Sequence, residues 1–398
     1  MRSSSRLPLI LVACAIGACA FGPPPAGAFY HPGAGETPRA PGEVIRHEPI
    51  EGAPAGAQAY RVLYSSTGLD GTPIAVSGIV VIPAGSAPTR GWDVVAWAHP
   101  TTGVDPRCAP SLRAKPLARI EGLEPLIKRG YVVTATDYPG LGTSEPHPYL
   151  VGVSEGRAVL DLVRAARKLP GERIGSRFAV WGHSQGGQAA LFAGELAAPY
   201  APELALVGVG AAAPATDLAV LLDDDIKSTA GRVLVSYAVW SWSRVYGASI
   251  DSLVKPSAIK VVDEVAEGCI ETIGEVYHVA IDAAPLRKHF LYADPDSVQP
   301  WHGYLELNRP GRSRTAAPFF IVQGMQDAIV RPAVTVAFAA HLCRRGETVH
   351  FLELPDVRHM GAGEKAAGPM VAWLLDRFSG NPAPSDCERL VKRAPAPS

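Results

Sequence analysis

Ser184, Asp327 and His359 are the residues of this chain whose types and spacing could make a nucleophile. Ser184 lies in Gly182-His183-Ser184-Gln185-Gly186-Gly187, after the apolar run Phe178-Ala179-Val180-Trp181 and before the small-residue run Gln188-Ala189-Ala190-Leu191. That is the strand, turn and helix context of a nucleophile elbow. A serine hydroxyl is a weak nucleophile; it needs a base to take its proton and a carboxylate to orient the base. On a parallel sheet those groups follow the serine in the order acid, then histidine, each after a strand. Asp327 follows the β-rich run Phe319–Gln323, and His359 follows the run Val349–Glu353. With eleven histidines in the chain, position rather than type singles out His359. Asp356, three residues before it, is the rival for the acid. His183 flanks the serine on the turn and reads as packing or a supporting hydrogen bond, not as the base.

Attack by a serine on a carbonyl creates an oxyanion, which needs preorganised N–H donors. The backbone of Gln185, at the start of the helix after the turn, is one candidate. The second should come from His99-Pro100-Thr101-Thr102-Gly103, after the run Val94–Ala98, with Thr101 the first choice and Thr102 the next. Pro100 has no N–H and cannot donate. At the elbow, Gly182 and Gly186 leave room that a Cβ would fill. Asp137-Tyr138-Pro139-Gly140-Leu141-Gly142 ends another strand and reads either as a structural turn or as the floor of an acyl pocket.

These residues need a scaffold, and the sequence alternates accordingly. Tyr60–Tyr64 and Ile74–Ile82 are β-rich with a turn over Gly68–Thr72, which predicts an antiparallel opening hairpin. Then strands at 94–98, 131–136, the elbow run and 206–212 alternate with helices at 117–129, 155–169 and 188–198. That rhythm predicts a mostly parallel α/β sheet with helices on both faces. It breaks between Asp217 and Pro310, where helical segments rich in apolar and aromatic residues predict an inserted helical cap. It resumes with the Phe319 strand, a helix over 332–344, the Val349 strand and a last helix over 363–378. The domain reading is therefore a leader over 1–28, core over 29–216, cap or lid over 217–310, core over 311–380 and a tail over 381–398. Residues 29–57, rich in Pro and Gly, read as an extended arm, and the Pro-rich tail as mobile apart from Cys387.

Of 398 residues 47% are hydrophobic, enough for one large core, and 37 basic against 38 acidic residues leave no basic field for nucleic acid. Arg2 and Arg6 precede an apolar stretch, Leu7–Ala20, too short to span a bilayer, and Ala26-Gly27-Ala28 offers a cleavage site before Phe29. Secretion is the favoured reading. The alternative is a lipid anchor on Cys19, since Ile16-Gly17-Ala18-Cys19 reads as a lipobox, as does the stretch ending at Cys14. Outside the leader remain Cys108, Cys269, Cys343 and Cys387, an even number without metal-ligand spacing. No metal site is expected. Three pairings are open; Cys108–Cys269 with Cys343–Cys387 is favoured, because the second would pin the tail.

Taken together, Ala98–Gly103, Ala135–Gly142, Gly182–Gly187, Gln323–Asp327, the His359 loop and the opening Phe29-Tyr30 and Pro41–Arg46 resemble an α/β-hydrolase. More narrowly they are similar to the secretory lipases related to yeast lipase A and their actinobacterial counterparts, with Pro100 where related sequences usually have glycine. The resemblance implies an α/β-hydrolase fold and a serine carboxylic-ester hydrolase of the lipase or esterase kind. Its substrates would be lipid or acyl esters, a membrane or lipid surface being a compatible contact. It implies no cofactor and no protein partner. An acyltransferase using the same acyl-enzyme and a catalytically idle scaffold that binds lipid or a partner are the alternatives; a serine peptidase is the weakest, as no charged site for a peptide terminus is visible.

Overall fold

The computed structural model describes residues 27–394 except 34, 287 and 288. The expected leader, with Cys14 and Cys19, falls outside them through residue 26. In chain order the elements are β1 (Val44–Pro49), β2 (Ala57–Thr67), β3 (Pro73–Pro83), β4 (Trp92–Ala98), α1 (Leu123–Lys128), β5 (Val132–Thr136), α2 (Gly152–Ala166), β6 (Ile174–His183), α3 (Gln185–Tyr200) and β7 (Ala205–Ala212). There follow α4 (Leu218–Asp225), α5 (Thr229–Val245), α6 (Pro256–Ala266), α7 (Ile273–Asp282) and α8 (Trp301–Leu307). The chain then returns through β8 (Phe319–Gly324), α9 (Pro332–Arg344), β9 (Val349–Leu354), α10 (Ala362–Phe378) and α11 (Cys387–Arg393).

One nine-stranded sheet runs in the order β1-β2-β3-β5-β4-β6-β7-β8-β9. The pairs from β1 to β5 are antiparallel, and from β5 onward every neighbour is parallel. Parallel strands are covered on both faces, so they read as continuous apolar runs such as Val132–Thr136, every residue of which is buried. On one face α2 and α3 bury Val159, Leu162, Val163, Ala190 and Leu191 against Val94, Phe178 and Val180. On the other, α1 and α10 bury Leu126, Ile127, Met370 and Leu374 against Trp97 and Trp181. The carboxyl ends of β4, β6, β8 and β9 therefore meet at one edge, where ligands bind in open α/β sheets.

Three expectations differ from the structure. The arm holds a strand, β1, paired to β2 from Val44 opposite Tyr64 to Pro49 opposite Tyr60. An edge strand tolerates proline, and one in which no residue is fully buried and Arg46 and Glu48 are half-buried has no apolar rhythm to betray it. The helix expected over 117–129 is only α1, preceded by a single 3-10 turn at Pro116–Arg119. Gly122, at φ 74°, breaks the two apart. The tail carries α11, held on β9 by the Asp386 carboxylate, which accepts the Phe351 N–H at 2.8 Å, and by Arg389 against Glu353 at 2.8 Å. Covering an exposed edge strand in this way blocks pairing with another chain.

Residues 217–310 hold five α-helices and two short 3-10 turns, and no strand, among the described residues. They build a separate apolar cluster around Val235, Trp242, Leu253, Val262, Val265 and Trp301. This layer is tied to loops at the carboxyl edge of the sheet. Trp242 Nε1 donates to the Tyr149 carbonyl at 2.9 Å, and Ile270 N–H to the Thr102 carbonyl at 2.8 Å. The Cys108–Cys269 disulfide joins it covalently to the loop after β4, while Cys343–Cys387 pins α11 to α9.

Candidate active site

Ser184 sits between β6 and α3 at φ 58° and ψ −118°, a conformation that side chains other than glycine seldom adopt. The turn is held by the Ser184 N–H on the Ala212 carbonyl of β7, 2.9 Å. It is tight because β6, α3 and β4 touch through their backbones. A Cβ on Gly182 would lie 2.6 Å from the Ala98 carbonyl oxygen, and one on Gly186 would overlap that oxygen and reach 2.6 Å from the carbonyl of His99. The sequence places glycine where nothing larger fits.

The structure brings the other two expected residues to this turn. His359 Nε2 is 2.8 Å from Ser184 Oγ, and His359 Nδ1 is 2.8 Å from Asp327 Oδ2. A carboxylate only accepts, so Nδ1 carries the proton and Nε2 is free to accept from the serine. Asp327 is itself fixed: Oδ1 accepts the N–H groups of Ile329 and Val330, both at 2.9 Å. Gln323 Nε2 lies 3.3 Å from Oδ2 while Thr335 donates to Gln323 Oε1 at 2.6 Å. Asp356 is exposed and makes no hydrogen bond to His359. His183 packs its ring against that of His359, centroids 5.0 Å apart; burial pushes His183 down to about 3, so the His359 ring rests on a neutral imidazole.

Gln185 opens α3, so its backbone N–H has no carbonyl one turn earlier and faces the reaction edge with the positive end of the helix dipole. Thr101 is half-buried, and its Oγ1 meets the Tyr149 hydroxyl at 3.0 Å. Thr102 is different: its carbonyl binds Ile270 and its Oγ1 is buried without a partner, so it faces the inserted layer. Asp137 is buried and its carboxyl group accepts from Ser77 Oγ at 2.6 Å and Ser111 N–H at 2.9 Å, which anchors the loop after β5.

A cavity of about 70 Å³ runs beside these groups, lined by Trp97, Thr101, Thr102, Asp137, Ile270 and Met360 among others. It joins the loop after β4, the residue after His359 and the inserted layer. A larger cleft, of about 770 Å³, is lined by Arg309, Arg312 and Arg344. Ser184, Asp327 and His359 line neither; the smaller cavity is the one that holds Thr101 and Met360, next to His359. α4 is tied to the segment after Asp327 by the ion pair of Asp224 with Arg331, and its last residue, Asp225, is buried; burial first, then the charges of Asp224 and Asp327, push its carboxyl up to about 7. Among the described residues no group of histidine, cysteine, aspartate and glutamate side chains could hold a metal ion.

Sequence reasoning passed over Glu155, Tyr149 and His147, which lie directly behind Gln185 and Thr101. A signal for Glu155 was present: it shares a helical face with Val159, Leu162 and Ala166, a carboxyl group in an apolar stripe.

The sheet order, the strained serine between β6 and α3, and the hydrogen-bonded relay behind it define an α/β-hydrolase fold. The model of the secretory lipase family matches residues 119–386, and the chain belongs to that family. It is 26% identical over 384 residues to the secreted triacylglycerol lipase LIP7 of Malassezia globosa, covering 90% of this chain and 80% of that one. It is 27% identical over 375 residues to a protein of Mycobacterium tuberculosis described as the probable inactive lipase MT1628, covering 89% and 82%. Among solved structures, Candida antarctica lipase A in its closed state superposes with a TM-score of 0.71 at 19% identity, covering 87% and 84% of the two chains. The rice cell wall degrading esterase LipA of Xanthomonas oryzae does so with a TM-score of 0.71 at 21% identity, covering 85% and 100%.

Proposed function

We propose that this protein is a secreted serine hydrolase of carboxylic esters, with lipid or long-chain acyl esters as substrates. The observation that carries the proposal is the pair of 2.8 Å hydrogen bonds running from Ser184 through His359 to Asp327. Ser184 Oγ attacks the ester carbonyl as His359 Nε2 takes its proton. The Gln185 N–H, with Thr101, stabilises the oxyanion. His359 then hands the proton to the departing alcohol, leaving an acyl-enzyme. Water, deprotonated by the same imidazole, releases the acid. Asp327 holds the imidazole in its working tautomer throughout.

Residues 217–310 act in this reading as a cap that shapes an apolar acyl site, supported by their bonds to the Thr102 and Tyr149 carbonyls and by the ion pair of Asp224 with Arg331 in the loop after Asp327. Secretion is supported by two disulfides and by the family; no helix among the described residues is long and apolar enough to cross a membrane. A second reading, an idle scaffold, takes its support from the relative described as probably inactive. It predicts an interrupted relay, whereas Ser184, His359 and Asp327 are all present and in contact.

The test is hydrolysis of p-nitrophenyl esters of increasing acyl length, with and without added alcohols, by wild type and Ser184→Ala. Turnover that rises with acyl length and is lost in the variant is expected. Inert wild type would favour the scaffold, and ester products with added alcohol at the expense of free acid would favour acyl transfer.

A further inference from the structure

The side chain of Gln185 has a task separate from that of its backbone. One N–H of its amide donates to Glu155 Oε1 at 2.7 Å, and the same nitrogen lies 3.1 Å from His147 Nε2. His147 Nδ1 is 2.8 Å from the Pro139 carbonyl, which can only accept, so His147 carries its proton there and Nε2 accepts from Gln185. Glu155 Oε1 takes a second bond, from the Leu150 N–H at 3.0 Å. Leu150 has φ 56°, so this bond holds a strained turn, and the neighbouring Tyr149 reaches Thr101 Oγ1. A single carboxyl oxygen thus joins the two sides of the site: α3 through Gln185, and the loop that carries Tyr149 onto Thr101.

The geometry points to Glu155 as a positioning residue that clamps the two oxyanion donors, Gln185 and Thr101, at a fixed separation. The inference rests on the serine-hydrolase reading above. Glu155 is fully buried, and its Oε2 has no partner. Burial pushes its carboxyl up to about 8, so at neutral pH it is an uncharged acid with its proton on Oε2 and Oε1 left to accept both bonds. A neutral clamp suits the place, because a carboxylate there would oppose the charge that develops on the oxyanion. The groups facing it are Tyr138 and Tyr149 from the segment after β5, Tyr246 beyond α5, His147, and the amide of Gln185. Burial raises all three phenols far above neutrality and pushes His147 down to about 3. Around pH 8 the group that changes charge in this cluster is Glu155.

Two variants test this, read by kcat, KM and the pH profile on a soluble short-chain ester. Glu155→Gln keeps an uncharged acceptor for Gln185 and Leu150, so kcat at pH 7 should stay within about threefold of wild type. Wild type should lose about tenfold in kcat between pH 7 and 9 as the acid ionises, and Glu155→Gln should not. Glu155→Leu leaves two buried donors unpaired and frees both sides of the site; kcat should fall about 10–100-fold with KM within about twofold, since the clamp acts on the oxyanion and not on ground-state binding. A Leu variant that merely melts earlier, with unchanged kcat, would overturn the inference. If that variant does not fold, an alkaline limb identical in wild type and Glu155→Gln overturns it alone. Wild type that neither hydrolyses esters nor reacts with a fluorophosphonate would overturn the hydrolase reading, and this inference with it; active wild type with Glu155-independent kinetics would overturn only the inference.

Discussion

Replacing Gly186 by alanine should disable the site through the backbone, without touching any reacting group. The new Cβ would overlap the Ala98 carbonyl and stand 2.6 Å from the His99 carbonyl oxygen, and real Cβ atoms essentially never approach closer than 3.0 Å. Both obstacles are backbone, so no side chain can rotate away. Either the first turn of α3 or the end of β4 must retreat by about 1 Å, and those segments carry Gln185 and Thr101; a displacement of about 1 Å at a reaction centre is worth about 10²-fold in rate. Overpacking should also destabilise the fold by about 1–3 kcal/mol. The control is Gly368→Ala, inside α10, where a Cβ would meet nothing within 4 Å. The following Pro369 disfavours a helical residue that carries a Cβ and so offsets the propensity gain; stability should change by less than about 1 kcal/mol and kcat not at all. The assay is kcat on a soluble ester below each variant's melting transition, with folding followed by circular dichroism. A folded Gly186→Ala enzyme within threefold of wild type would refute the argument that the contact between α3 and β4 sets the donor geometry.

Other outcomes follow from the same structure. Asp327→Asn should lower kcat by about 10⁴, because an amide cannot hold the imidazole in its working tautomer, while Asp356→Asn should change it less than twofold; the reverse order would move the acid to Asp356. A chain starting at Phe29, which leaves out Cys14 and Cys19, should show no free thiol on titration when denatured but unreduced, and four would contradict both bridges. With its cysteines 161 positions apart, the Cys108–Cys269 bridge should contribute about 5 kcal/mol in the chain-entropy model, measured as the loss in the Cys108→Ser/Cys269→Ser variant. Stability should also fall on both sides of a plateau. His147 and His183, held neutral by burial at about 3 instead of 6.5, support the fold fully above pH 6.5 and lose that support as pH falls toward 3. Glu155 and Asp225, raised by burial to about 8 and about 7, support it fully at acid pH and lose that support as pH rises from about 4 to 8. The two slopes oppose each other between about pH 4.5 and 6.5, so the thermal midpoint should be flat there and fall beyond; a midpoint still climbing from pH 6.5 to 8 would contradict the burial of the two acids.

The parallel half of the sheet was legible because strands covered on both faces leave unbroken apolar runs, and Gly-x-Ser-x-Gly was legible because the turn allows no Cβ. Asp327 and His359 could be placed from strand ends alone, since the sheet brings those ends together whatever lies between. What the sequence concealed is of another kind. β1 is a half-exposed edge with proline in it, and Gly122 splits an apolar stretch that reads as one helix. The tail looked unstructured because α11 draws its stability from Asp386, Arg389 and Cys387 meeting β9 and α9, contacts that no local pattern encodes. Glu155 stands out as a carboxyl group in an apolar stripe, but its task does not: its partners, Gln185 and Leu150, lie 30 and 5 residues away and meet it only when α2 packs on α3.

Everything proposed for this site requires Ser184 to be a nucleophile activated by His359. The most direct measurement is covalent labelling with a fluorophosphonate, followed by intact-mass analysis and peptide mapping. The account predicts one adduct per chain, on the peptide containing Ser184, absent in Ser184→Ala and formed at least about 10³-fold more slowly in His359→Ala. No adduct on the folded wild-type protein, or a stoichiometric adduct that persists in Ser184→Ala, would contradict it.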